Sequence, residues 1–290
     1  MKAILFLLFA LSVSQLPGRD SDSNQLALNS QDALRIMTFN IRYNNPNDGE
    51  HAWPNRKERV ASVIRFHRAD IVGMQEVLKG QVDDLEMLLP EYAWFGVGRD
   101  DGVDGGEFSP VFYRRERFEL IDAGTFWLSE SPEVAGSKSW DAALTRIASW
   151  VSLRDRNTDK YFLHLNTHFD HRGDRARIES AGLIVSSLEQ LADGNPIIVT
   201  GDFNVEPSSA AYRVMTGTLF DARLESVSEP HGPEATFAGF TVDLDETGGR
   251  IDYIFVDDSI SVLSYGVISD QWNGHYPSDH LPVIAELILP

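Results

Sequence analysis

The sequence contains no cysteine and has far fewer basic than acidic residues. Without cysteine the chain cannot form a disulfide, bind a metal through thiolates or attack a substrate with a sulfur nucleophile. Its 25 lysines and arginines against 44 aspartates and glutamates give a formal net charge of −19. This balance disfavours non-specific wrapping of a polyanion, because such binding depends on basic side chains that displace counterions. It is compatible with an acidic site that binds a divalent cation.

Long apolar runs are also absent. None reaches the roughly 18 residues that a membrane-spanning helix needs, so stable membrane insertion is not expected. The N-terminus has the pattern of an export signal, with Lys2 before an apolar stretch and small residues suited to cleavage. We predict a signal peptide over residues 1–17, a polar linker over 18–33 and a secreted or periplasmic protein. A buried N-terminal strand or helix is the alternative. Residues 34–290 suffice for one large α/β domain.

Hydrophobic periodicity predicts strands interspersed with helices. Strands are predicted over residues 35–43, 71–76, 111–114, 147–154, 161–167, 197–202, 251–256 and 281–289, and helices over 56–68 and 78–89. A further helix is indicated by the apolar stripe Ile178, Ala181, Val185, Leu188 and Ala192. Asp174 is its expected N-cap. Strands that outnumber helices favour sheets packed face to face under outer helices.

A polar motif follows the apolar strand that ends near residue 202. Residues 201–204 read GDFN, and Gly201 allows a close approach of neighbouring backbone. Asp202 and Asn204 stand two apart in extended chain, so their side chains point to the same side and can hold one water between them. An Asx-type turn that ends the strand is the alternative interpretation.

Other strand ends carry polar residues in the same way. Asp279 and His280 precede the final strand, where a carboxylate can bind a hard cation and an imidazole can meet a developing oxyanion. A turn aspartate beside an incidental surface histidine is the alternative. Asp252 lies inside an apolar strand and needs a partner, for which a histidine is the obvious candidate. Asn40 and Glu76 each end a strand, and the whole set suits Mg²⁺ or Mn²⁺.

These segments, in this order, resemble the endonuclease/exonuclease/phosphatase superfamily over residues 34–289, in particular its deoxyribonuclease-like and deadenylase-like branches and a secreted bacterial type of member. The resemblance implies an α/β fold built as a four-layer α/β/β/α sandwich with two packed mixed sheets. It also implies divalent-metal-dependent hydrolysis of phosphoester bonds, with Mg²⁺ as the expected cofactor and Mn²⁺ as an alternative.

The resemblance also implies roles for the metal and the water. Glu76 resembles the principal Mg²⁺ ligand of the family, supported by Asn40 and Asp279. Asp202 matches the residue that activates or orients the attacking water, and Asn204 matches the residue that helps to fix it. The expected reaction is therefore attack by a metal-assisted, activated water.

Two histidines are expected to face the phosphate. His280 matches the imidazole that contacts the scissile phosphate, with Asp252 as its orienting acid. His168 matches the second phosphate-facing histidine, and Glu107 falls where the deoxyribonuclease branch has the acid that pairs with it. A carboxylate keeps such an imidazole in one tautomer and makes it more basic, so that it can stabilise or protonate the leaving oxygen.

Two other ion sites are weaker interpretations. His168, Asp170 and His171 have side chains that suit zinc, but no third histidine motif or cysteine accompanies them. The acidic segments 100–105 and 243–248 resemble calcium loops, but neither has the bidentate glutamate where it should stand, and solvated turns are expected instead.

The substrate is expected to be nucleic acid or a small phosphorylated molecule. Arg172, Trp272 and Tyr276 are the expected substrate contacts, because they lie close in sequence to His168 or Asp279. The first hypothesis is a phosphodiesterase or nuclease. The alternative is a phosphatase or a lipid-headgroup, sphingomyelinase-like hydrolase of small phosphorylated substrates. A non-catalytic binding protein of the same fold is disfavoured, because no expected catalytic position has been lost. The sequence identifies no protein partner.

Overall fold

The computed structural model describes residues 32–243 and 248–290, of which the stretch beginning at residue 33 belongs to one compact unit. The predicted signal peptide, almost all of the predicted linker and most of the calcium-like segment 243–248 lie outside the described residues. These three interpretations therefore stay predictions. Within the described residues there is no helix with both the length and the apolar character that a bilayer crossing requires.

Twelve strands and five α-helices are described. The strands are β1 Leu34–Asn40, β2 Ile71–Gln75, β3 Tyr92–Phe95, β4 Val111–Arg114, β5 Phe118–Trp127, β6 Ile147–Asp155, β7 Tyr161–His168, β8 Ile197–Asp202, β9 Phe220–Asp221, β10 Asp252–Val256, β11 Ser261–Val267 and β12 Val283–Ile288. The helices are α1 Lys57–Phe66, α2 Lys79–Leu88, α3 Asp174–Ala192, α4 Ala210–Met215 and α5 Ala222–Glu225, with 3-10 turns at Pro46–His51 and Trp53–Asn55.

The strands form two six-stranded mixed sheets. The first has the order β11-β12-β1-β2-β4-β3 and the second the order β5-β6-β7-β8-β10-β9. Each contains one parallel pair, β1 with β2 and β7 with β8, among antiparallel neighbours. Successive side chains of a strand point to opposite faces of the sheet, so in buried strands such as β1 one set fills the space between the sheets and the other faces the helices. Ile36 packs between the sheets, for example, whereas Met37 packs against the layer that contains α1 and α2.

Helices cover the outer face of each sheet. Buried side chains of α1 and α2 pack on the first sheet, and those of α3, such as Ile184 and Leu188, pack on the second. The layers therefore run α/β/β/α, which confirms the predicted fold class. The strands predicted near residues 111, 147, 161 and 197 match the observed elements closely.

Some local predictions were wrong. Asp174 is the first residue of α3 and not its N-cap, which is Gly173. The carboxylate of Asp141, from a distant loop, accepts hydrogen bonds from the backbone N–H groups of Arg175 and Ala176 and so caps the helix instead. Ile178, assigned to the apolar stripe, is 38% exposed.

A buried polar network joins the two sheets beneath the strand ends. The side-chain amide of Gln75 donates to Asn166 Oδ1 at 2.7 Å, and Thr200 Oγ1 donates to the same oxygen at 3.1 Å. A Cβ at Gly73 would lie 2.2 Å from Thr200 Oγ1, so only glycine fits this crossing. Because Gln75 precedes Glu76, the network fixes the end of β2 relative to the second sheet.

Candidate active site

Three strand ends of the second sheet bring His168, Asp202 and Asp252 into one row. The parallel pairing of β7 and β8 sets His168 opposite Asp202, and the antiparallel pairing of β8 and β10 sets Asp252 opposite Asp202. A Cβ at Gly201 would lie 2.6 Å from the carbonyl oxygen of Thr167. The glycine of the GDFN segment thus permits the close approach expected from the sequence.

The first sheet supplies Asn40, Glu76 and Asp279. Asn40 ends β1, Glu76 directly follows β2, and β1 pairs with both β2 and β12, so the segment before β12 meets the same edge of the sheet. Ser278 Oγ donates to the carbonyl oxygen of Asn40 at 2.7 Å and ties the two segments together. Glu76 has φ +58°, a left-handed conformation that side-chain-bearing residues rarely adopt. The surrounding structure therefore holds this carboxylate in an unusual backbone geometry.

The carboxylate of Asp202 lies at the centre of the site. Its Oδ2 accepts a hydrogen bond from Asn40 Nδ2 at 2.9 Å and lies 3.4 Å from His168 Nε2 and 3.7 Å from His280 Nε2. Its Oδ1 accepts from the backbone N–H of Asn204 at 2.9 Å. Burial, together with the neighbouring carboxylate of Asp252, raises the pKa of Asp202 to about 7. A group with that pKa can accept a proton from water near neutral pH.

His280 is held by Asp252. The ring Nδ1 lies 2.9 Å from Asp252 Oδ2, and both side chains are buried. Burial alone would lower the pKa of His280, but the carboxylates of Asp252 and Asp202 raise it well above its usual value. The two carboxylates therefore favour the protonated imidazole, whose Nε2 is directed towards Asp202.

The expected pair between His168 and Glu107 is not formed as a hydrogen bond. His168 Nδ1 lies 3.9 Å from Glu107 Oε2, while Arg99 Nη1 donates to the same carboxylate oxygen at 2.6 Å. A permanently charged guanidinium competes better for this carboxylate than a neutral imidazole. Burial and the charge of Arg146 lower the pKa of His168 well below its usual value. Its Nε2 lies 3.1 Å from the side-chain amide of Asn204, which can donate to it.

Glu76 and Asp279 form the acidic side of the site. Glu76 Oε1 accepts from Asn40 Nδ2 at 3.2 Å, and the guanidinium of Arg42 lies 3.9 Å from Glu76 and 3.8 Å from Asp279. Burial and the charge of Glu76 raise the pKa of Asp279. Carboxylate and amide oxygens are the donors that a hard divalent cation prefers. The residues present therefore fit Mg²⁺ or Mn²⁺.

A second group close to these residues has the spacing of metal ligands. Asp202, Asp252 and His280 each place one donor atom within 4.8 Å of the others. This makes them a candidate metal site. Because His280 Nδ1 already bonds to Asp252, the contact between these two is also that of an acid–histidine pair.

The site opens into a cavity of about 560 Å³. Besides the residues above, it is lined by basic groups that the sequence analysis did not assign to the site: Arg42, Arg146 and, outside its zinc interpretation, His171. The guanidinium of Arg146 is buried, and its Nε and Nη1 have no hydrogen-bond partner among the described residues. The nearest carboxylates, Asp170 and Glu107, lie 3.8 and 3.9 Å away. Arg146 directly precedes the apolar strand β6, and this position next to a strand is the sequence feature that could have identified it as a site residue.

The three expected substrate contacts do not line the cavity. Tyr276 is buried in the core between the sheets, and burial raises its pKa. Trp272 packs at the edge of the first sheet's outer core, with the guanidinium of Arg59 6.0 Å from its ring centre. Arg172 is exposed at the N-terminal end of α3.

The alternative ion sites have local structural explanations. Asp170 accepts hydrogen bonds from four backbone N–H groups, those of Ala143, Leu144, Arg172 and Gly173, and these hold its pKa below the usual range. Its oxygens thus order a loop. In the segment 100–105, Asp101 accepts from the backbone N–H groups of Val103 and Gly105, each at 2.8 Å, as in a self-contained turn.

Comparisons with known proteins point to one family. The sequence profile of the Endonuclease/Exonuclease/phosphatase family matches residues 37–280. The crystal structure of an endonuclease/exonuclease/phosphatase from Bacteroides vulgatus is 42% identical, with a TM-score of 0.86, and covers 89% of this chain and 99% of that one. The mannosyl-6-phosphatase of Bacteroides thetaiotaomicron is 38% identical, with a TM-score of 0.85, over 88% of this chain and 100% of that one.

More distant relatives share the same region. Nocturnin of Rattus norvegicus is 24% identical over 89% of this chain and 66% of its own length. A protein of Acanthamoeba polyphaga mimivirus, R895, is 23% identical over 88% of this chain and 43% of its own length. The chain thus spans about two thirds of nocturnin and less than half of the viral protein.

Proposed function

Because the chain belongs to the endonuclease/exonuclease/phosphatase family, we propose that it hydrolyses small phosphomonoesters with the help of a divalent cation. Family membership makes the chain a phosphoester hydrolase of that family. The kind of ester, the metal and the residue roles are the parts that we propose. They rest on the cavity around Asp202.

The arrangement around Asp202 is the observation that carries the proposal. One buried carboxylate with a pKa of about 7 is surrounded, within 3.7 Å of one oxygen, by Asn40, His168 and His280. A carboxylate with this pKa can accept the proton of an attacking water at neutral pH. The imidazole of His280 offers an N–H donor for the phosphoryl oxygens. The side-chain amide of Asn204 donates to the carbonyl oxygen of Phe169 at 3.0 Å and faces His168 Nε2, so it positions that second imidazole.

A cation would be held by Glu76 and Asp279. Asn40 lies beside them, where its side-chain amide donates to Glu76 and Asp202 and its side-chain oxygen accepts from the backbone N–H of Arg42 at 3.0 Å. Burial and the neighbouring charge of Glu76 raise the pKa of Asp279, and a bound cation would offset both effects. When bound, a divalent ion would supply positive charge against the non-bridging oxygens of the ester. Mg²⁺ fits these oxygen donors best, and Mn²⁺ is the alternative. We assign Asp252 and His280 to each other rather than to the metal, because they share a 2.9 Å contact.

The residues then divide the proton transfers between them. Asp202 accepts a proton from the water as its oxygen attacks phosphorus, with Asn204 fixing the direction of attack. His280, kept protonated by Asp252, donates to the oxygen that leaves when the ester bond breaks. His168, whose pKa is lowered by burial, acts as a neutral imidazole that contacts the phosphoryl group. Glu107 acts through Arg99 and Arg146 and not by direct pairing with His168.

Two features favour a small monoester over a nucleic acid, which reverses the order of the sequence-based hypotheses. A cavity of about 560 Å³ is of the size that small-molecule sites have. Arg146 also lines it, and the permanent positive charge of this residue suits the extra charge of a terminal phosphate. The 38% identity to a mannosyl-6-phosphatase supports a sugar phosphate as the class of substrate.

The experiment compares phosphate release from hexose 6-phosphates, nucleoside monophosphates and inositol phosphates with cleavage of DNA, RNA, sphingomyelin and bis(p-nitrophenyl) phosphate. Each substrate is assayed with Mg²⁺, with Mn²⁺ and with chelator. We expect a kcat/KM for a sugar monophosphate at least tenfold above that for any diester, and loss of activity in chelator. Faster cleavage of a diester would overturn the choice of substrate, and no hydrolysis of any ester would favour a binding protein.

The second candidate is a phosphodiesterase or nuclease. It is favoured by the position of His168 in the cavity beside Asn204, since this histidine matches the second phosphate-facing histidine of the deoxyribonuclease-like and deadenylase-like branches. The formal net charge of −19 counts against a long polyanion. The substrate comparison above separates the two candidates directly.

A further inference from the structure

Two histidines and a glutamate outside the catalytic cavity converge on one point. Glu50 and His51 end the 3-10 turn Pro46–His51, and His275 lies more than 200 residues away in sequence. His51 Nε2 lies 3.9 Å from Glu50 Oε1, and His275 Nε2 lies 3.9 Å from Glu50 Oε2. All three donor atoms are within 4.8 Å of one another, and none of the three residues lines the catalytic cavity.

We propose that Glu50, His51 and His275 form a transition-metal site of the Zn²⁺ class, separate from the catalytic cation. Two imidazoles and one carboxylate are a donor set that Zn²⁺ accepts, whereas Mg²⁺ avoids imidazole. Ligand bonds of about 2.0–2.2 Å in tetrahedral geometry place donor atoms about 3.3 Å apart. The two 3.9 Å contacts of Glu50 reach that spacing by small movements of its exposed side chain. The two imidazoles, whose donor atoms lie within 4.8 Å of each other, reach it by small rotations of their rings.

The 3-10 turn that carries His51 is held in place before any ion binds. The ring of His51 stacks on Phe240, with centroids 4.3 Å apart and an interplanar angle of 15°. The His51 carbonyl accepts a hydrogen bond from Arg56 Nε at 2.8 Å, and the side-chain amide of Asn55 donates to the carbonyl oxygen of Glu50 at 3.2 Å. These contacts hold the backbone of both ligands and one of the two imidazoles.

The loop that carries His275 is a tight hairpin. The backbone groups of Trp272 and His275 exchange hydrogen bonds at 2.9 and 3.1 Å. Asn273 and Gly274 between them have φ values of +54° and +82°, as the two central residues of a type I′ turn require. An Asn-Gly pair adopts that turn at little cost, so His275 is presented from a rigid loop. Because the 3-10 turn and the hairpin are both preorganised, less conformational entropy is lost when an ion binds.

An ion at this position would join segments that also carry the catalytic residues. His275 precedes Asp279 by four residues, and the 3-10 turn follows the segment of Asn40. Arg56 already links them, because its guanidinium donates to the carbonyl oxygens of Ile41 and, at 3.2 Å, Pro277. A metal ion at the proposed site would therefore hold together the loops beside the cavity. An ion that binds the native state and not the unfolded state raises the melting temperature.

The test titrates the purified full chain, without a histidine tag, with Co²⁺ in excess Mg²⁺, so that Mg²⁺ fills the oxygen-donor site. We expect one equivalent of Co²⁺ to bind with the ligand-field spectrum of a nitrogen- and oxygen-ligated ion, and Zn²⁺ to displace it. Zn²⁺ should also raise the melting temperature. His51→Ala/His275→Ala should lose both effects, and Glu50→Gln should weaken binding at least tenfold.

Two controls keep the test decisive. His67→Ala removes another half-buried histidine that pairs with a carboxylate, and should bind Co²⁺ as the wild type does. Glu76→Gln, at the acidic side of the cavity, should also keep the spectrum. Equal Co²⁺ binding by the wild type and the double variant would overturn the proposal, as would loss of the spectrum in Glu76→Gln alone. Melting curves in chelator establish that each variant is folded, and the exposed Glu50→Gln change tests the site without altering the core.

Discussion

Replacing Asp252 with asparagine tests the division of roles between Asp252 and His280. Asparagine keeps the shape of the side chain and an oxygen that can accept from His280 Nδ1 at the observed 2.9 Å, but it removes the negative charge. The carboxylate of Asp252 is the main group that raises the pKa of His280 against the effect of burial. In the variant the imidazole should therefore lose its proton at a lower pH.

The size of the effect follows from the contact. A hydrogen bond to a charged group contributes about 1.5–3 kcal/mol, and about 1.4 kcal/mol corresponds to a tenfold change in rate. If that stabilisation is used when the leaving oxygen is protonated, kcat should fall about 10- to 100-fold while KM changes little. The alkaline limb of the pH–rate profile should move to lower pH, because that limb reports the loss of the His280 proton.

The assay is steady-state phosphate release from the best monoester, measured across pH for the wild type and the variant. Asp84→Asn is the matched control, since it makes the same chemical change in a carboxylate that pairs with Lys57 outside the cavity. It should leave kcat and the pH profile unchanged. An unchanged kcat for Asp252→Asn, or a loss confined to KM, would refute the assigned role.

Three further predictions concern the same site and the sheet contact beneath it. The wild-type rate should rise with pH through about 7, because Asp202 must lose its proton before it can act as a base. At higher pH the rate should fall, where His280 loses the proton that it donates. A rate that does not change between pH 5 and 8 would contradict both assignments. Arg146→Met removes a positive charge from the cavity lining and should raise KM for a monoester about 10- to 100-fold, as expected for loss of one charge-assisted hydrogen bond, with a smaller effect on a diester. Equal effects on both substrates would count against a monoester site. Gly73→Ala should lower the free energy of unfolding by about 1–3 kcal/mol, because the added Cβ would lie 2.2 Å from Thr200 Oγ1. The measurement is urea denaturation. An unchanged urea midpoint would show that the two sheets can separate enough to admit the methyl group.

The fold was largely predictable because the buried strands carry continuous or alternating apolar residues. Strands such as Ile197–Asp202 are buried along nearly their whole length, and the sequence pattern predicts them directly. β5, Phe118–Trp127, was not predicted. It is an edge strand whose residues between its buried ends are half-buried or exposed, so burial imposes no period on its sequence. Its pairing with β6 defines it, and that contact is not local.

The site was predictable where a single residue ends a strand. Asp202 ends β8 and Asp252 begins β10, and strand register brings these two together. His280 lies in the short segment before β12 and meets them through its contact with Asp252. Arg146 was missed because its position before β6 is a weak signal by itself, and only the packed structure shows that its side chain is buried beside the cavity. The partner of Glu107 was mistaken for a related reason. Arg99 reaches that carboxylate from a turn whose path sequence periodicity does not predict.

The most direct test of the central claim is a single comparison of Asp202→Asn with the wild type. Phosphate release from a monoester is measured for both with Mg²⁺ and with chelator, at a pH above 7. The account predicts that the substitution and the chelator each reduce kcat at least a hundredfold, while circular dichroism shows an intact fold. Turnover by Asp202→Asn within threefold of the wild type would contradict the claim that this carboxylate activates the attacking water.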